Sequence, residues 1–377
     1  MKDKHIGYRP TWAEINLINL KHNFSKIKRK VGGCVKIMVT VKADAYGHGL
    51  VPVAKCLQRY GADYFGVASI DEGIKLRESG IKIPILVLGL IFKKDIAPLF
   101  KYNLSVTVCD EELPRAINNR ARALNKKANL HIKVDTGMGR IGIQHYDSHK
   151  LVQRINRLKY VDIEGIFTHF AFADLNKEFT FHQIDLFDRL VNRLIKDGIN
   201  IPLVHAANSM GLLSYKNSHF NMVRPGLIVY GLLPKEGLKI DLKPVLSLKT
   251  RVVFVKKVAA GVGISYGHDY ITRSPTKIVT LPIGYGDGYP RNLSNKAEVL
   301  IKGRRYKISG RICMDQIMLD VGTADIRVGD EAVLIGTQGK GIITAEELAL
   351  KSNTIPYEIV CGLGSRIPRV LRPRANY

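Results

Sequence analysis

The sequence predicts an α/β fold, with an N-terminal (β/α)8 barrel of the TIM type followed by a C-terminal domain that is mainly β. Between residues 35 and 231, short apolar runs of strand length alternate with segments of helical periodicity, and eight such runs fit a barrel. After Gly231 the composition shifts to a linker rich in proline and glycine, and short alternating segments with turns follow. We therefore predict a barrel over residues 12–243 and a second domain over residues 244–377.

The eight predicted barrel strands span residues 35–41, 64–68, 83–89, 104–109, 129–135, 161–169, 202–207 and 223–230. Helices are predicted at 71–79, 111–124, 147–158 and 180–196. An open doubly wound sheet would show the same alternation, so the position of polar residues has to decide between the two folds. Polar residues follow the ends of predicted strands 1, 5, 6, 7 and 8, at the rim where barrel enzymes carry their chemistry. They are Lys42, Arg140, His169, Asn208 and Arg224.

Outside the eight predicted barrel strands and the helices between them, most of the predicted elements are short strands. An alternating segment at 12–17 precedes a helical pattern that starts near Leu20. The predicted elements of the second domain are strands within 245–258, 278–282, 298–301, 305–309, 317–321 and 331–335, and one helix at about 344–351.

The composition, with 46% hydrophobic and 24% charged residues, is that of an ordinary soluble globular protein. The longest apolar run, 83–92, is interrupted by Pro84 and Gly89, and no secretory signal is apparent, so we expect neither a membrane span nor export. The five cysteines form no CxxC pair, which favours reduced thiols in the cytoplasm over a metal site or disulfides. The net charge of +25 is spread along the chain without a nucleic-acid-binding motif, so we expect no nucleic-acid partner.

Lys42 is the first candidate for chemistry because it directly follows a predicted buried strand. An ammonium group is costly to desolvate and tends to lose its proton there, and a neutral amine is what Schiff-base formation with an aldehyde requires. Gly47 and Gly49 let the backbone approach a ligand closely, and Tyr46 and His48 offer polar groups beside it. A lone lysine at a strand end is more often a surface residue, so other motifs must decide.

Gly137, Gly139 and Gly142 form a GxGxxG pattern after a predicted strand, which superficially suggests dinucleotide binding. The next helix does not begin until about residue 147, so no helix N-terminus meets the pattern. The alternative is a tight turn that presents Arg140 to an anion.

Residues 41–49, Val-Lys-Ala-Asp-Ala-Tyr-Gly-His-Gly, closely resemble the pyridoxal-phosphate attachment motif of alanine racemases. The resemblance covers nearly the whole chain, from residue 12 to residue 368. The other matching segments, in family order, are 130–142, 165–170, 223–226, 263–267, 281–291, 310–315 and 356–358. The resemblance implies an architecture of barrel plus β domain in which residues 1–11 join the second domain.

The resemblance also implies roles for individual residues. Lys42 would carry pyridoxal 5'-phosphate, and the partner subunit's Tyr266 would be the second catalytic base, which implies a homodimer with shared active sites. The other implied cofactor contacts are Tyr46, His169, Asn208, Ser209, Arg224, Gly226, Leu227 and Tyr357. The implied substrate contacts are Arg140 and Met314, with Lys133, Cys313 and Asp315 in support.

The residue type at position 224 distinguishes a racemase from a decarboxylase of the same architecture. Enzymes that use the pyridine ring as a full electron sink usually pair its nitrogen with a carboxylate, whereas an arginine cannot accept that proton and keeps the nitrogen neutral. The resemblance therefore predicts a racemase that acts on alanine and supplies D-alanine for peptidoglycan. The alternatives are a decarboxylase of the same architecture, which should carry an acid at this position, and a racemase that prefers serine or another small amino acid. A non-catalytic carrier of the cofactor would lack the second domain.

Overall fold

A computed structural model describes residues 8–233, 235 and 237–372 of the chain. The first strand, β1 (Thr11–Asn16), pairs antiparallel with the strand at 246–251 and parallel with the strand at 369–372. These pairings correct the predicted boundary after residue 11, because residues 11–16 belong to the sheet of the second domain. The predicted placement of residues 1–7 and 373–377 lies outside the described residues.

The barrel consists of eight parallel strands in the order β5-β4-β3-β2-β10-β9-β8-β6, closed by the pairing of β5 with β6. A short extra strand, β7, pairs in parallel with the end of β6. The strands are β2 (Lys36–Thr40), β3 (Tyr64–Val67), β4 (Ile85–Val87), β5 (Ser105–Val108), β6 (Ala128–Asp135), β7 (Ile143–Gln144), β8 (Val161–Phe167), β9 (Leu203–His205) and β10 (Met222–Val223). The predicted fold class is confirmed.

Helices surround the barrel and pack apolar faces against its strands. The helices are α1 (Leu17–Val31), α3 (Leu50–Arg59), α4 (Ile70–Glu78), α5 (Ala97–Lys101), α6 (Glu112–Ala123), α7 (His145–Asn156), α8 (Lys177–Lys196) and α9 (Ser209–Ser214), and the label α2 (Lys42–Tyr46) denotes a single left-handed turn. Helix α1 begins before the predicted Leu20, because the Asn16 side chain accepts a hydrogen bond from the backbone N–H of Asn19 at 3.0 Å and caps the first turn.

The second domain contains a sheet in the order β17-β16-β19-β11-β1-β21, a three-stranded sheet β12-β15-β18, and a hairpin of β13 and β14. Its elements are β11 (Leu246–Arg251), β12 (Phe254–Val258), β13 (Gly263–Ile264), β14 (Tyr270–Ile271), β15 (Thr276–Leu281), β16 (Glu298–Ile301), β17 (Arg304–Lys307), β18 (Ile317–Gly322), β19 (Glu331–Gln338), β20 (Gly341–Ile343), α10 (Ala345–Ser352), α11 (Pro356–Cys361) and β21 (Arg369–Arg372). One buried apolar cluster includes residues of the barrel and of this domain.

The predicted strand at 223–230 is wrong over most of its length. Strand β10 ends at Val223, and residues 227–230 form a turn of 3-10 helix. Pro225 cannot donate a ladder hydrogen bond, and Gly226 leaves the extended region at φ −125° and ψ −91°, so the strand stops where the cavity begins.

No helix among the described residues is long and apolar enough to cross a membrane. All five cysteines are free thiols. Within the part of the chain that the structure describes, no group of three or more histidine, cysteine or acidic side chains could hold a metal ion.

Candidate active site

A cavity of about 660 Å³ lies beyond the carboxyl ends of the barrel strands, and α11 of the second domain contributes to its lining. Ten of the predicted site residues line it: Lys42, Tyr46, Lys133, Arg140, His169, Asn208, Ser209, Arg224, Gly226 and Tyr357. Nine of them lie on or just after five barrel strands that are distant in sequence, and Tyr357 lies on α11. The closed barrel therefore brings together what the sequence distributes over 300 residues.

Lys42 is followed by a left-handed turn. Residues 43–46 all have φ between 52° and 54°, although none is glycine. This conformation costs roughly 1–2 kcal/mol per residue, so neighbouring contacts must hold it. The Glu72 carboxylate accepts hydrogen bonds from the backbone N–H groups of Ala43 at 2.7 Å and Ala68 at 2.6 Å. The Asp44 carboxylate accepts from the N–H of Leu50 at 2.8 Å. These bonds fix the backbone from which Lys42 reaches the cavity.

Four cationic side chains gather at the cavity: Lys42, Lys133, Arg140 and Arg224. Burial, and then the nearby charge of Arg140, lowers the pKa of Lys42 below its ordinary value. Burial, followed by the charges of Arg224 and Arg140, lowers the pKa of Lys133 to about 8. No described carboxylate forms an ion pair with either lysine. Both amines therefore lose their protons more easily than a lysine in water, and the cavity favours an anionic ligand.

Arg224 is buried, with 5% of its surface exposed. Its Nη2 donates to the carbonyl oxygens of Thr168 at 2.7 Å and Ala206 at 2.9 Å, and its Nη1 donates to Nδ1 of His205 at 2.9 Å. The guanidinium carbon lies 5.2 Å from the centre of the Phe167 ring. Burial lowers the pKa of Arg224 to about 9, which leaves the group charged at neutral pH. The cavity thus holds a fixed guanidinium at the position where a decarboxylase should hold an acid.

His169 lies beside Arg224, with its Nδ1 3.4 Å from the arginine Nη2. Burial, and then the charge of Arg224, lowers the pKa of His169 well below its usual range. The imidazole is therefore neutral, and because the arginine can only donate, Nδ1 is the acceptor.

A second part of the cavity is built by Tyr46, Ser209, Gly226 and Tyr357. The backbone N–H of Gly226 donates to Oγ of Ser209 at 3.0 Å. A Cβ atom at Gly226 would lie 2.5 Å from the hydroxyl oxygen of Tyr46, so any larger residue would displace this hydroxyl. The Tyr46 and Tyr357 rings lie 5.7 Å apart. The result is a recess bordered by the hydroxyl groups of two tyrosines and a serine, and hydroxyl groups are among the donors that hold phosphate in barrel enzymes.

The Asn208 side chain is occupied as a helix cap. Its Oδ1 accepts from the N–H of Gly211 at 2.9 Å at the start of α9. Leu227, directly after Gly226, is fully buried and does not line the cavity. Of these two predicted cofactor contacts, Leu227 could contribute only through its backbone.

Four predicted residues lie outside the cavity, on the second domain: Tyr266, Cys313, Met314 and Asp315. Tyr266 is 68% exposed and Met314 is 53% exposed. The Sγ of Cys313 lies 3.4 Å from Oγ of Ser265, which links the two segments, and the Asp315 carboxylate accepts from Nη2 of Arg366 at 2.6 Å. One chain alone does not bring this group to Lys42.

Two further sets of residues line the cavity or lie beneath it but were not predicted from the sequence. Phe167, Ile355 and Cys361 line the cavity, but an apolar residue or a lone cysteine carries no signal of function in a sequence. His131, Glu164 and His205 lie inside the barrel beneath Arg224. Polar residues inside strands of a parallel barrel, where apolar side chains are the rule, are the signal that could have found this set.

Comparison with known proteins agrees with this geometry. Residues 15–234 match the family model for the alanine racemase N-terminal domain, and residues 245–371 match the model for the C-terminal domain. An alanine racemase from Halothermothrix orenii is 50% identical over 365 residues, 96% of each chain.

Two solved structures resemble the chain closely. The alanine racemase of Clostridium difficile 630 has a TM-score of 0.92 at 42% identity, over 97% of this chain and 96% of that one. The alanine racemase of Bacillus anthracis, solved with bound L-Ala-P, has a TM-score of 0.91 at 36% identity, over 98% and 96% of the two chains. The family and the enzyme class predicted from the sequence are confirmed. The chain belongs to the alanine racemase family.

Proposed function

We propose that the chain interconverts L-alanine and D-alanine with pyridoxal 5'-phosphate held at Lys42. The single observation that supports this reaction best is Arg224, a buried guanidinium with carbonyl and imidazole partners where a decarboxylase should hold an acid. An arginine donates to the pyridine nitrogen and leaves it unprotonated, which favours return of the proton to the same carbon. The decarboxylase remains the alternative from another reaction class.

The residues of the cavity fit the cofactor. Gly226 leaves a recess that a side chain would fill, and the hydroxyls of Tyr46, Ser209 and Tyr357 line the same cavity. The phosphate group of the cofactor would lie in this recess. Lys42 lies in that cavity with a lowered pKa, as attachment to an aldehyde requires. When bound, the cofactor withdraws electrons from the α-carbon of an amino acid and makes its proton removable.

Two bases on opposite faces of the α-carbon complete the proposal. Lys42 would remove or return the proton on one face, and the partner subunit's Tyr266 would act on the other. The 68% exposure of Tyr266 in a single chain supports a partner that covers it, since a catalytic group needs a dry, ordered setting. The active enzyme is then a homodimer with two shared sites.

Arg140 and the partner subunit's Met314 would bind the substrate carboxylate, with Tyr357 limiting the space for the side chain. Lys133 would brace Arg140, and its pKa of about 8 leaves a share of neutral amine at neutral pH. A neutral amine adds carbon dioxide and releases a proton to give a carbamate, a modification that some family members carry. The resulting negative charge would pair with Arg140.

The D-alanine formed would supply peptidoglycan synthesis. The five free thiols support a cytoplasmic location, because thiols stay reduced there.

Incubation of L-alanine with the purified enzyme and cofactor in D2O tests the function. We expect loss of optical rotation together with deuterium at the α-carbon. Release of carbon dioxide would instead identify a decarboxylase, and faster exchange of serine than of alanine would reassign the substrate.

A further inference from the structure

A chain of hydrogen bonds runs from Arg224 down the inside of the barrel. Nη1 of Arg224 lies 2.9 Å from Nδ1 of His205, and Nε2 of His205 lies 2.9 Å from Nδ1 of His131. Nε2 of His131 lies 3.2 Å from Oε2 of Glu164. Both histidines have no exposed surface. The two imidazoles therefore connect a buried cation at the cavity with a carboxylate elsewhere in the barrel.

Glu164 lies toward the opposite end of the barrel from the cavity. Its Oε2 accepts hydrogen bonds from Oγ of Ser105 at 2.7 Å and from the hydroxyl of Tyr64 at 2.8 Å. Ser105 and Tyr64 are the first residues of β5 and β3, so the carboxylate lies among the amino ends of the strands. Burial alone would raise the pKa of Glu164, but the hydrogen bonds from His131, Ser105 and Tyr64 outweigh it and lower the pKa below its usual range. The carboxylate is ionised at neutral pH.

The direction of every hydrogen bond in the chain follows from Arg224. A guanidinium can only donate, so Nδ1 of His205 is an acceptor and the proton of this imidazole is on Nε2. The Nε2–H of His205 donates to Nδ1 of His131, so the ring proton of His131 is also on its Nε2. The N–H of His131 then donates to Glu164. One tautomer of each histidine satisfies all three contacts.

The same bonds select the face that Arg224 presents to a ligand. One N–H of Nη1 donates to His205, and the N–H groups of Nη2 are shared among Thr168, Ala206 and His169. Among the described residues, none accepts a hydrogen bond from Nε of Arg224, so its N–H is free for a ligand. No described carboxylate pairs with Arg224 directly, so Glu164 is the negative end of its hydrogen-bond chain.

We propose that Glu164 is a positioning residue for Arg224, which it holds through two neutral histidines with the arginine Nε–H free to donate to the pyridine nitrogen. The inference rests on the proposed function. It extends the site from the cavity through the whole interior of the barrel. A carboxylate far from the reacting atoms then sets the orientation of the group that tunes the cofactor.

The tautomers can be measured directly in the unmodified protein, with cofactor bound, by neutron diffraction or by nitrogen chemical shifts of labelled histidine. We expect both His131 and His205 to carry hydrogen on Nε2 and none on Nδ1. Hydrogen on Nδ1 of either residue would overturn the proposal. This readout does not use catalysis, so absence of racemase activity would reject the proposed function without changing the tautomer result.

A double-mutant cycle tests the link to the reaction. Glu164→Gln keeps an acceptor of the same size but removes the charge, and we expect kcat to fall about tenfold with KM little changed, as for outer partners of a ligating group. Arg224→Lys cannot form the same bonds, so adding Glu164→Gln to it should have no further effect. An equal loss in both backgrounds would show a merely structural role and contradict the proposal. Asp162→Asn is the matched control, because this carboxylate on the same strand pairs with Lys127 at the surface and should leave kcat unchanged.

Discussion

The two halves of the proposed site differ in how completely one chain builds them. On the barrel rim, Arg224 and Lys133 are 5% and 3% exposed, and Arg224 is held by hydrogen bonds to Thr168, His205 and Ala206. On the second domain, Tyr266 and Met314 are mostly exposed and do not line the cavity with Lys42. The segment before Tyr266 is ordered all the same, since Ser265 at φ +67° donates through its hydroxyl to the carbonyl of Arg311 at 2.6 Å.

The barrel half of one chain is therefore suited to hold a cofactor by itself, whereas the second-domain half is an ordered group with no cavity of its own chain beside it. An ordered but exposed tyrosine is what a shared active site requires of each subunit. Variants in the first half should therefore change cofactor binding and chemistry within a chain. Variants in the second half should act on the site of the other chain.

The largest expected effect is that of Lys42→Ala. We expect loss of racemisation by about a thousandfold or more, because the variant removes both the attachment point and one base. Reduction with borohydride followed by peptide mapping should find the cofactor on Lys42 in the parent protein. Labelling of Lys133, the other cavity lysine with a lowered pKa, would contradict the assignment.

Arg224→Glu should lower racemisation by at least about a hundredfold, the scale for loss of a preorganised polar contact to the reacting group. A carboxylate would share a proton with the pyridine nitrogen and deepen the electron sink, so a new absorbance band at long wavelength should accompany the loss. Arg224→Gln is the control, because an amide cannot protonate the ring and should give no such band. Unchanged racemisation by the glutamate variant would contradict the proposed role of Arg224 at the pyridine nitrogen.

Gly226→Ala should have a smaller effect, which is confined to the affinity for the cofactor. The added methyl group would meet the Tyr46 hydroxyl at 2.5 Å and fill the recess proposed for the phosphate. We expect cofactor affinity to fall about tenfold, equivalent to roughly 1.4 kcal/mol, with kcat at saturating cofactor nearly unchanged. Gly33→Ala is a matched control, because a Cβ at Gly33 meets no atom within 4 Å. Equal cofactor affinity of the two variants would place the phosphate elsewhere.

Much of the fold and site could be predicted from the sequence because the signals are local. The βα alternation gave the barrel, and Lys42, Arg140, His169 and Arg224 could be recognised from the short motifs around them. What could not be predicted depends on contacts between distant segments. The pairing of β1 with β11 and β21 joins the first strand to residues more than 200 positions away, which a pattern around residue 12 does not reveal.

The hydrogen-bond chain beneath Arg224 shows the same limit. His131, Glu164 and His205 lie on three different strands, and no pattern within any one strand shows that the three side chains contact each other. Only closure of the barrel brings them within hydrogen-bonding distance. The left-handed turn at 43–46 could not be predicted either, because none of its residues is a glycine and nothing local indicates positive φ there.

In the proposed enzyme, each active site takes Lys42 from one chain and Tyr266 from its partner. Mixing two inactive variants, Lys42→Ala and Tyr266→Phe, under proven subunit exchange tests it most directly. Each mixed dimer would have one site with both bases and one with neither, so activity should return to about a quarter of the wild-type value at random pairing. No recovery above the sum of the two separate variants would place both bases on one chain and contradict the account.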